Sequence, residues 1–225
     1  MKIGIYSDVH ISRTSSILPL YLNDQSKYTL RLENCINSMN DMYQTFEDRN
    51  VDVIINCGDT FNSHTISADE MSAYLDIIHK PFCKEYIIVG NHDKFNNIFN
   101  SIKLGDLFDN IDIVDKYKVF RIDSSDVDVY MIAYFNPKEF NELLDEMLTK
   151  YPKEHKKSIL FMHGDIDGSL LFGNLRVENQ ISKAKLIQNF DLVINGHIHC
   201  NETIYNKDNK KIINIGSLTT HSFAD

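Results

Sequence analysis

Five apolar runs in this sequence share one property: each leads directly into carboxylate, amide or imidazole side chains. Residues 2–6 run into Ser7-Asp8-Val9-His10, and 51–56 into Gly58-Asp59. Residues 85–89 run into Gly90-Asn91-His92-Asp93, 158–162 into His163-Gly164-Asp165, and 192–194 into Gly196-His197-Ile198-His199. Such runs predict buried strands, and α/β sheets place their sites beyond the carboxyl ends of their strands. Taken alone, a His beside an apolar strand is more often a hydrogen-bonded structural residue, and an Asp there is more often a turn former. Here five of the nine histidines fall into one pattern with two aspartates and an asparagine, which points to a single site.

Between these runs the apolar spacing is helical. A helix is expected over 26–49, with Leu32, Cys35, Ile36, Met39, Met42, Tyr43 and Phe46 on one face. A second opens at Ser67 with Glu70 three residues on, a capping box, followed by the stripe Met71, Tyr74, Leu75 and Ile78. A weaker segment covers 95–108. Residues 117–122 and 127–133 flank the turn-like Asp123-Ser124-Ser125-Asp126 and predict a hairpin. Asn136-Pro137 reads as a helix start, and the helix carries Phe140, Leu143, Leu144, Met147 and Leu148 before Pro152 stops it. A further helix is expected over 178–188, and a last hairpin over 203–205 and 211–215 turns at Asp208-Asn209. Early βαβ alternation followed by hairpins predicts an α/β fold: two mixed β-sheets packed as a sandwich and flanked by helices. No repeat or linker divides the sequence, so one domain over 1–225 is expected.

Composition narrows the function. At 43% hydrophobic and 24% charged residues, the chain is neither disordered nor fibrous. No stretch approaches the ~18 apolar residues of a membrane span. The start, MKIGIYSDVH, lacks the pattern of a signal peptide. Cys35, Cys57, Cys83 and Cys200 form no CxxC pair and read as reduced thiols of a cytoplasmic protein. The net charge of −9 argues against unaided nucleic-acid binding through a basic face. The short basic clusters at 150–157 and 207–211 read as solvated loops.

Imidazole, carboxylate and amide donors without thiolate suit Mn²⁺, Fe²⁺ or Zn²⁺ in a catalytic setting. Strand alternation would turn Asp8 and His10 the same way, so that one ion could take both. A carboxylate can bridge two ions ~3.5–4 Å apart, the spacing used for in-line phosphoryl chemistry.

The ordered set D-x-H, GD, GNHD, a lone His and GHxH resembles the signature of calcineurin-like metallophosphoesterases, and it spans residues 8–199. The resemblance implies a first metal held by Asp8, His10, Asp59 and His199. It implies a second held by Asp59, Asn91, His163 and His197, with Asp59 bridging. His92 matches the family's general acid, and Asp93 the acidic neighbour that orients it. Two cations, Mn²⁺ foremost, would offset phosphodiester charge and activate a hydroxide for in-line attack. His92 would protonate the departing alkoxide. Only Asp8 and Asp59 among the seven ligands are carboxylates, so a loaded site is electropositive on an acidic protein.

Within that superfamily the GD-x-F block at Gly58–Phe61, the long first helix and the ending Ile215-Gly216-Ser217 are similar to the SbcD-type subunit of recombination nucleases, compact phage versions above all. That likeness implies a DNA exo- or endonuclease in DNA repair and recombination, working with an SbcC-type ATPase, as a homodimer, in the cytoplasm (the host's, for a phage protein). The family's DNA-capping and ATPase-docking segments are not expected within 1–225. Asn62 stands where many relatives have His, and His64 lies two residues on. Tyr21, Tyr28, Phe95, Phe99 and Phe172 are aromatic residues near the motifs that could meet bases or pack in the core. Residues 164–174, with three glycines, read as a rim over the site in which Asp165 and Asp167 either attract a further cation or cap turns, the turns being favoured. Two alternatives stand beside the nuclease. One is a small-molecule phosphodiesterase or phosphatase with the same metals. The other is a catalytically dead scaffold, which would be expected to have lost ligands that this sequence retains.

Overall fold

The computed structural model describes residues 1–15, 27–78, 82–96, 100–172 and 175–219, the side chains of 104, 171 and 172 apart. Tyr21, Phe99 and the ring of Phe172 therefore lie outside the described residues, as does the expected helix start at residue 26. The elements follow in the order β1 (Ile3–Tyr6), α1 (Leu30–Asp48), β2 (Val53–Asn56), α2 (Ala68–Ile78), β3 (Lys84–Ile88), a 3₁₀ turn over Ser101–Leu107, and β4 (Ile111–Val114). Then come β5 (Tyr117–Ile122), β6 (Val127–Ile132), α3 (Pro137–Lys150), β7 (Lys157–Met162), β8 (Leu170–Phe172) and β9 (Leu175–Arg176). The chain closes with α4 (Lys183–Asn189), β10 (Leu192–Asn195), β11 (Glu202–Lys207) and β12 (Lys210–Asn214).

Two main sheets result. The first has the order β1-β2-β3-β4 and is parallel throughout, so only the second sheet is mixed, where two mixed sheets were expected. The second has the order β11-β12-β10-β7-β6-β5, with a parallel centre and an antiparallel hairpin at each edge. The central strands β2, β6 and β10 are buried on both faces, as parallel strands between covering layers must be, whereas the edge strands β5 and β11 are partly exposed. In β6, Val129 and Met131 join the core shared with the first sheet, while Tyr130 and Ile132 face a second core under α3 and α4 with Leu160, Met162 and Val193.

Local chemistry sets the element ends. Thr29 caps α1 by accepting from the Leu32 N–H. Ser67 and Glu70 form the expected capping box: Ser67 Oγ accepts from the Glu70 N–H at 3.3 Å, and Glu70 accepts from the Ser67 N–H at 2.7 Å. Asn136 caps α3 with Pro in the first turn. Asp208 and Asn209, both at positive φ, make the two-residue turn of the last hairpin. Two further features depart from the sequence reading. The helix expected over 178–188 begins only at 183, because Ser182 is its cap. Part of the rim, β8, is a strand that pairs antiparallel with β9 just beyond it.

Candidate metal centre

All eight motif residues, the seven proposed ligands and His92, sit just past the carboxyl ends of five parallel strands, β1, β2, β3, β7 and β10. The chain reverses sharply at these points. Asp8, His10, Asp59 and His197 all adopt positive φ, between 50° and 71°. This left-handed backbone is costly for residues other than glycine and tends to persist at functional sites. It corrects the reading of Asp8 and His10 as neighbours on one strand face: both lie in the turn after β1, and two left-handed kinks, not pleat alternation, converge them. Close approach explains two glycines. A Cβ on Gly90 would lie 2.1 Å from Asp59 Oδ1, and one on Gly58 would lie 2.4 Å from His163 Nδ1.

The side chains form two contiguous clusters. In the first, His10 Nε2 and His199 Nε2 are 2.9 Å apart, and each lies 3.8 Å from Asp8 Oδ1. In the second, His163 Nε2 lies 3.0 Å from Asn91 Oδ1, 3.2 Å from His197 Nδ1 and 3.3 Å from Asp59 Oδ2. The same Asp59 oxygen is 3.8 Å from His10 Nε2, so it stands between the clusters.

Hydrogen bonds on the outer side of the rings settle what faces inward. The Cys57 carbonyl can only accept, so the His163 Nδ1 proton is donated to it at 2.7 Å, which leaves Nε2 as the nitrogen that faces inward. His197 Nε2 likewise donates to Asp165 Oδ1 at 3.0 Å, turning the Nδ1 lone pair to the centre. Two inward imidazole nitrogens, a carboxylate and an amide oxygen then converge on one point, where a cation can replace the proton that His163 Nε2 otherwise shares with Asp59 and Asn91. This donor set fits a divalent cation. Protonation shows the same demand for positive charge. Burial opposes a charged His163, yet Asp59 and its hydrogen bond raise its pKa to about 9. Burial would raise Asp59, but His163, His10 and His92 together hold it far below the usual carboxylate range. Asp8, with burial dominant, is raised.

His92 stands at the exposed edge of the site. Its N–H donates to Asp59 Oδ1 at 2.9 Å, and its ring meets that of His10 edge-on at 4.9 Å. The expectation that Asp93 orients His92 is not what the geometry shows. Asp93 is fully buried and accepts from the backbone N–H groups of Thr60, Phe61 and Gly90, which sew the Asp59 loop to the His92 loop. Burial, then the charge of Asp59, push its pKa up to about 7. The imidazole is aligned instead by the Asn62 carbonyl, 2.8 Å from Nδ1. His64 is exposed and packs on Phe95 at 5.3 Å, outside both clusters.

Three residues support the site, and two of them, Arg31 and Asn195, were not singled out in the sequence. Arg31 is buried beneath the first motif and donates to the carbonyls of Val9 and His10 and to Thr219 Oγ1. Asn195 exchanges hydrogen bonds with both backbone groups of Gly164, fixing the loop after His163. Asp165, read as a turn former, holds His197. A carboxylate two residues after one proposed ligand was a signal available for that role.

Comparison with known proteins agrees with this geometry. Residues 1–201 match the calcineurin-like phosphoesterase family. The sequence is 26% identical over 187 residues to phosphoesterase 244L of Invertebrate iridescent virus 6, covering 78% of this chain and 61% of that one. It is 25% identical over 121 residues to the DNA double-strand break repair protein Mre11 of Methanocaldococcus jannaschii, covering 52% and 33%. The chain thus spans less than two thirds of the length of either curated relative. Among solved structures, a dimetal phosphatase from Danio rerio superimposes with a TM-score of 0.62 at 11% identity, over 96% of this chain and 87% of that one. A 5′-nucleotidase structure from Staphylococcus aureus gives 0.60 at 15%, over 97% and 49%. At these identities the structures show a shared fold.

Proposed function

The chain belongs to the calcineurin-like phosphoesterase family, and from that premise we propose that it is a two-metal phosphodiesterase that cleaves DNA, the SbcD-type nuclease of an end-processing complex with an SbcC-type ATPase. The observation that carries the phosphodiesterase reading is the placement of one Asp59 oxygen between two clusters of inward-facing nitrogens. In this reading Asp8, His10, Asp59 and His199 hold one ion, and Asp59, Asn91, His163 and His197 hold the other. The DNA reading is supported by the similarity to Mre11 and by the GD-x-F block.

Bound there, two divalent cations would offset the charge of a phosphodiester and acidify a water for in-line attack. The protein's own groups do the rest. Cys57 and Asp165 fix the tautomers of His163 and His197. Asp93 locks the loops that carry Asp59 and His92 together. His92, its Nδ1 against the Asn62 carbonyl and a ring nitrogen within 4.8 Å of the His10 and Asp59 donor atoms, stands at the exposed edge of the site, where it can hand a proton to the departing alkoxide. The net charge of −9 supports a second reading, hydrolysis of a small phosphoester at the same site.

Mn²⁺-dependent cleavage of end-labelled DNA, with Asp59→Ala alongside, tests this proposal. Loss of label or a ladder with the wild type alone is expected. Intact DNA beside hydrolysis of an activated small phosphodiester would transfer the proposal to the second reading. Co-purification with an SbcC-type ATPase, and the mass of the chain in solution, test the partner and the homodimer.

A further inference from the structure

Beside the proposed second metal position the surface opens into a cleft of about 340 Å³ that has no place in the ligand scheme. Asn91 forms one wall, so the cleft begins at the cation site itself. Lys94, Asn96, Tyr134, Phe135, Asn136 and Glu139 line the rest of it. We propose that this cleft is a nucleobase subsite, taking the base of one of the two nucleosides joined by the scissile phosphate, with Tyr134 as its stacking platform. The inference rests on the phosphodiesterase reading and supplies its substrate class.

Tyr134 lies two residues past β6, and its N–H donates to the Val89 carbonyl at the end of β3. This bond carries the side chain over the site. Its ring centroid is 5.7 Å from that of His197 and 6.1 Å from that of His163. The ring is half-buried, and its hydroxyl makes no hydrogen bond among the described residues. An aromatic face this near a phosphodiester site, on an open cleft, suits a base, because every base offers a π-face of its own.

Charge decides between base and phosphate as occupant. Among the described residues Lys94 is the one cation on the cleft wall, and its ammonium is already committed: it donates to the Tyr134 carbonyl and lies 3.5 Å from the centre of the Phe135 ring. Burial lowers its pKa to about 8. Glu139 stands opposite, and with Glu142 it lines the adjoining cleft along α3. A flanking phosphate would meet those carboxylates, whereas a neutral base would not. Asn136 spends its Oδ1 on capping α3, so its amide hydrogens remain as donors for a base edge. In this scheme Lys94 is a positioning residue that anchors the 134–135 turn.

The dinucleotide dTpdT has a single cleavable bond and tests this directly, beside two analogues in which one or the other base is replaced by hydrogen. For the wild type with Mn²⁺, removing one of the bases is expected to lower kcat/KM by about 5- to 150-fold, from the ~1–3 kcal/mol that stacking contributes per base. Tyr134→Phe should keep that sensitivity, and Tyr134→Leu should lose most of it while already turning over intact dTpdT more slowly. Equal rates for all three substrates in the wild type overturn the subsite without any variant. So does the same base-removal penalty in wild type and Tyr134→Leu. An enzyme that spares end-labelled oligonucleotides yet shows the base dependence on dTpdT keeps the subsite and loses the DNA reading. One that hydrolyses methyl 4-nitrophenyl phosphate but no nucleotide substrate loses both.

Discussion

Asp59 and Glu85 are both buried carboxylates of the first sheet, one just past β2 and the other inside β3, and the protein treats them in opposite ways. Burial alone would push both toward the neutral acid. Around Asp59 the partners are imidazoles, and their charge overrides burial and keeps the carboxylate ionised. Around Glu85 the partners are phenols. Tyr6 donates to it at 2.7 Å and Tyr43 at 3.0 Å, but neither brings charge, and burial raises its pKa to about 7. Hydrogen bonds therefore do not by themselves make a buried carboxylate an anion. A full negative charge is kept only where a cation can answer it.

The sharpest test separates the parts of the ionised cluster. His92 holds Asp59 through its backbone N–H, which His92→Ala retains, while the imidazole is lost. Turnover is expected to fall ~10²–10⁴-fold, the usual contribution of a general acid or base, with bound Mn²⁺ unchanged by metal analysis. Loss of metal to the extent expected for Asp59→Ala would mean that the ring is a ligand and would undo its assigned role.

Glu85→Gln tests the other side. With a folded pKa of about 7 against an ordinary 4.5, the native state binds the proton more tightly than the unfolded chain does. Below pH 4.5 both states are protonated and the carboxyl carries no penalty. Between 4.5 and 7 the unfolded state ionises first, so stability falls as pH rises, and above 7 the loss is complete. The shift amounts to about 3 kcal/mol. The amide can hydrogen-bond both tyrosines and does not titrate. Denaturant melts should show Glu85→Gln more stable than wild type by roughly that amount at pH 8, with the gap closing by pH 4. A gap that does not change with pH would show that Glu85 is not the proton acceptor.

The two carboxylates also differ in how visible they were. Asp59 followed an apolar run and a glycine, and four other runs ended alike, so the convergence of its partners was legible before any fold was known. Glu85 was equally plain as a letter, a lone acid in Lys-Glu-Tyr-Ile-Ile-Val, but its partners come from β1 and α1, where Tyr6 and Tyr43 read only as core aromatics. β4 was passed over because its Ile-Asp-Ile-Val run is four residues long and is defined by pairing with β3. The anchor of His92 could not be read at all, since the Asn62 carbonyl acts through the backbone and any side chain there would supply it. The motifs fixed which side chains meet, whereas the hydrogen bonds that orient them depend on loop geometry.

That orienting layer carries the mildest prediction. Asp165 pairs with His197 at 3.0 Å, and the hydrogen bond from that imidazole lowers its pKa below the usual range. Here is a third carboxylate on the boundary between the first two: it is partly exposed, it is charge-partnered, and it does not itself face the cation point. Asp165→Asn keeps an oxygen acceptor for the His197 N–H but removes the charge that makes the ring a stronger donor to metal. Losses of this kind typically cost ~10–100-fold in metal affinity. Mn²⁺ titration by calorimetry should place Asp165→Asn in that range, and saturating Mn²⁺ should restore most of its turnover, which distinguishes it from His92→Ala. Unchanged Mn²⁺ affinity would show that only the acceptor oxygen matters at this position. Charge partnering would then belong to Asp59 alone, and the contrast with Glu85 would narrow to a single residue.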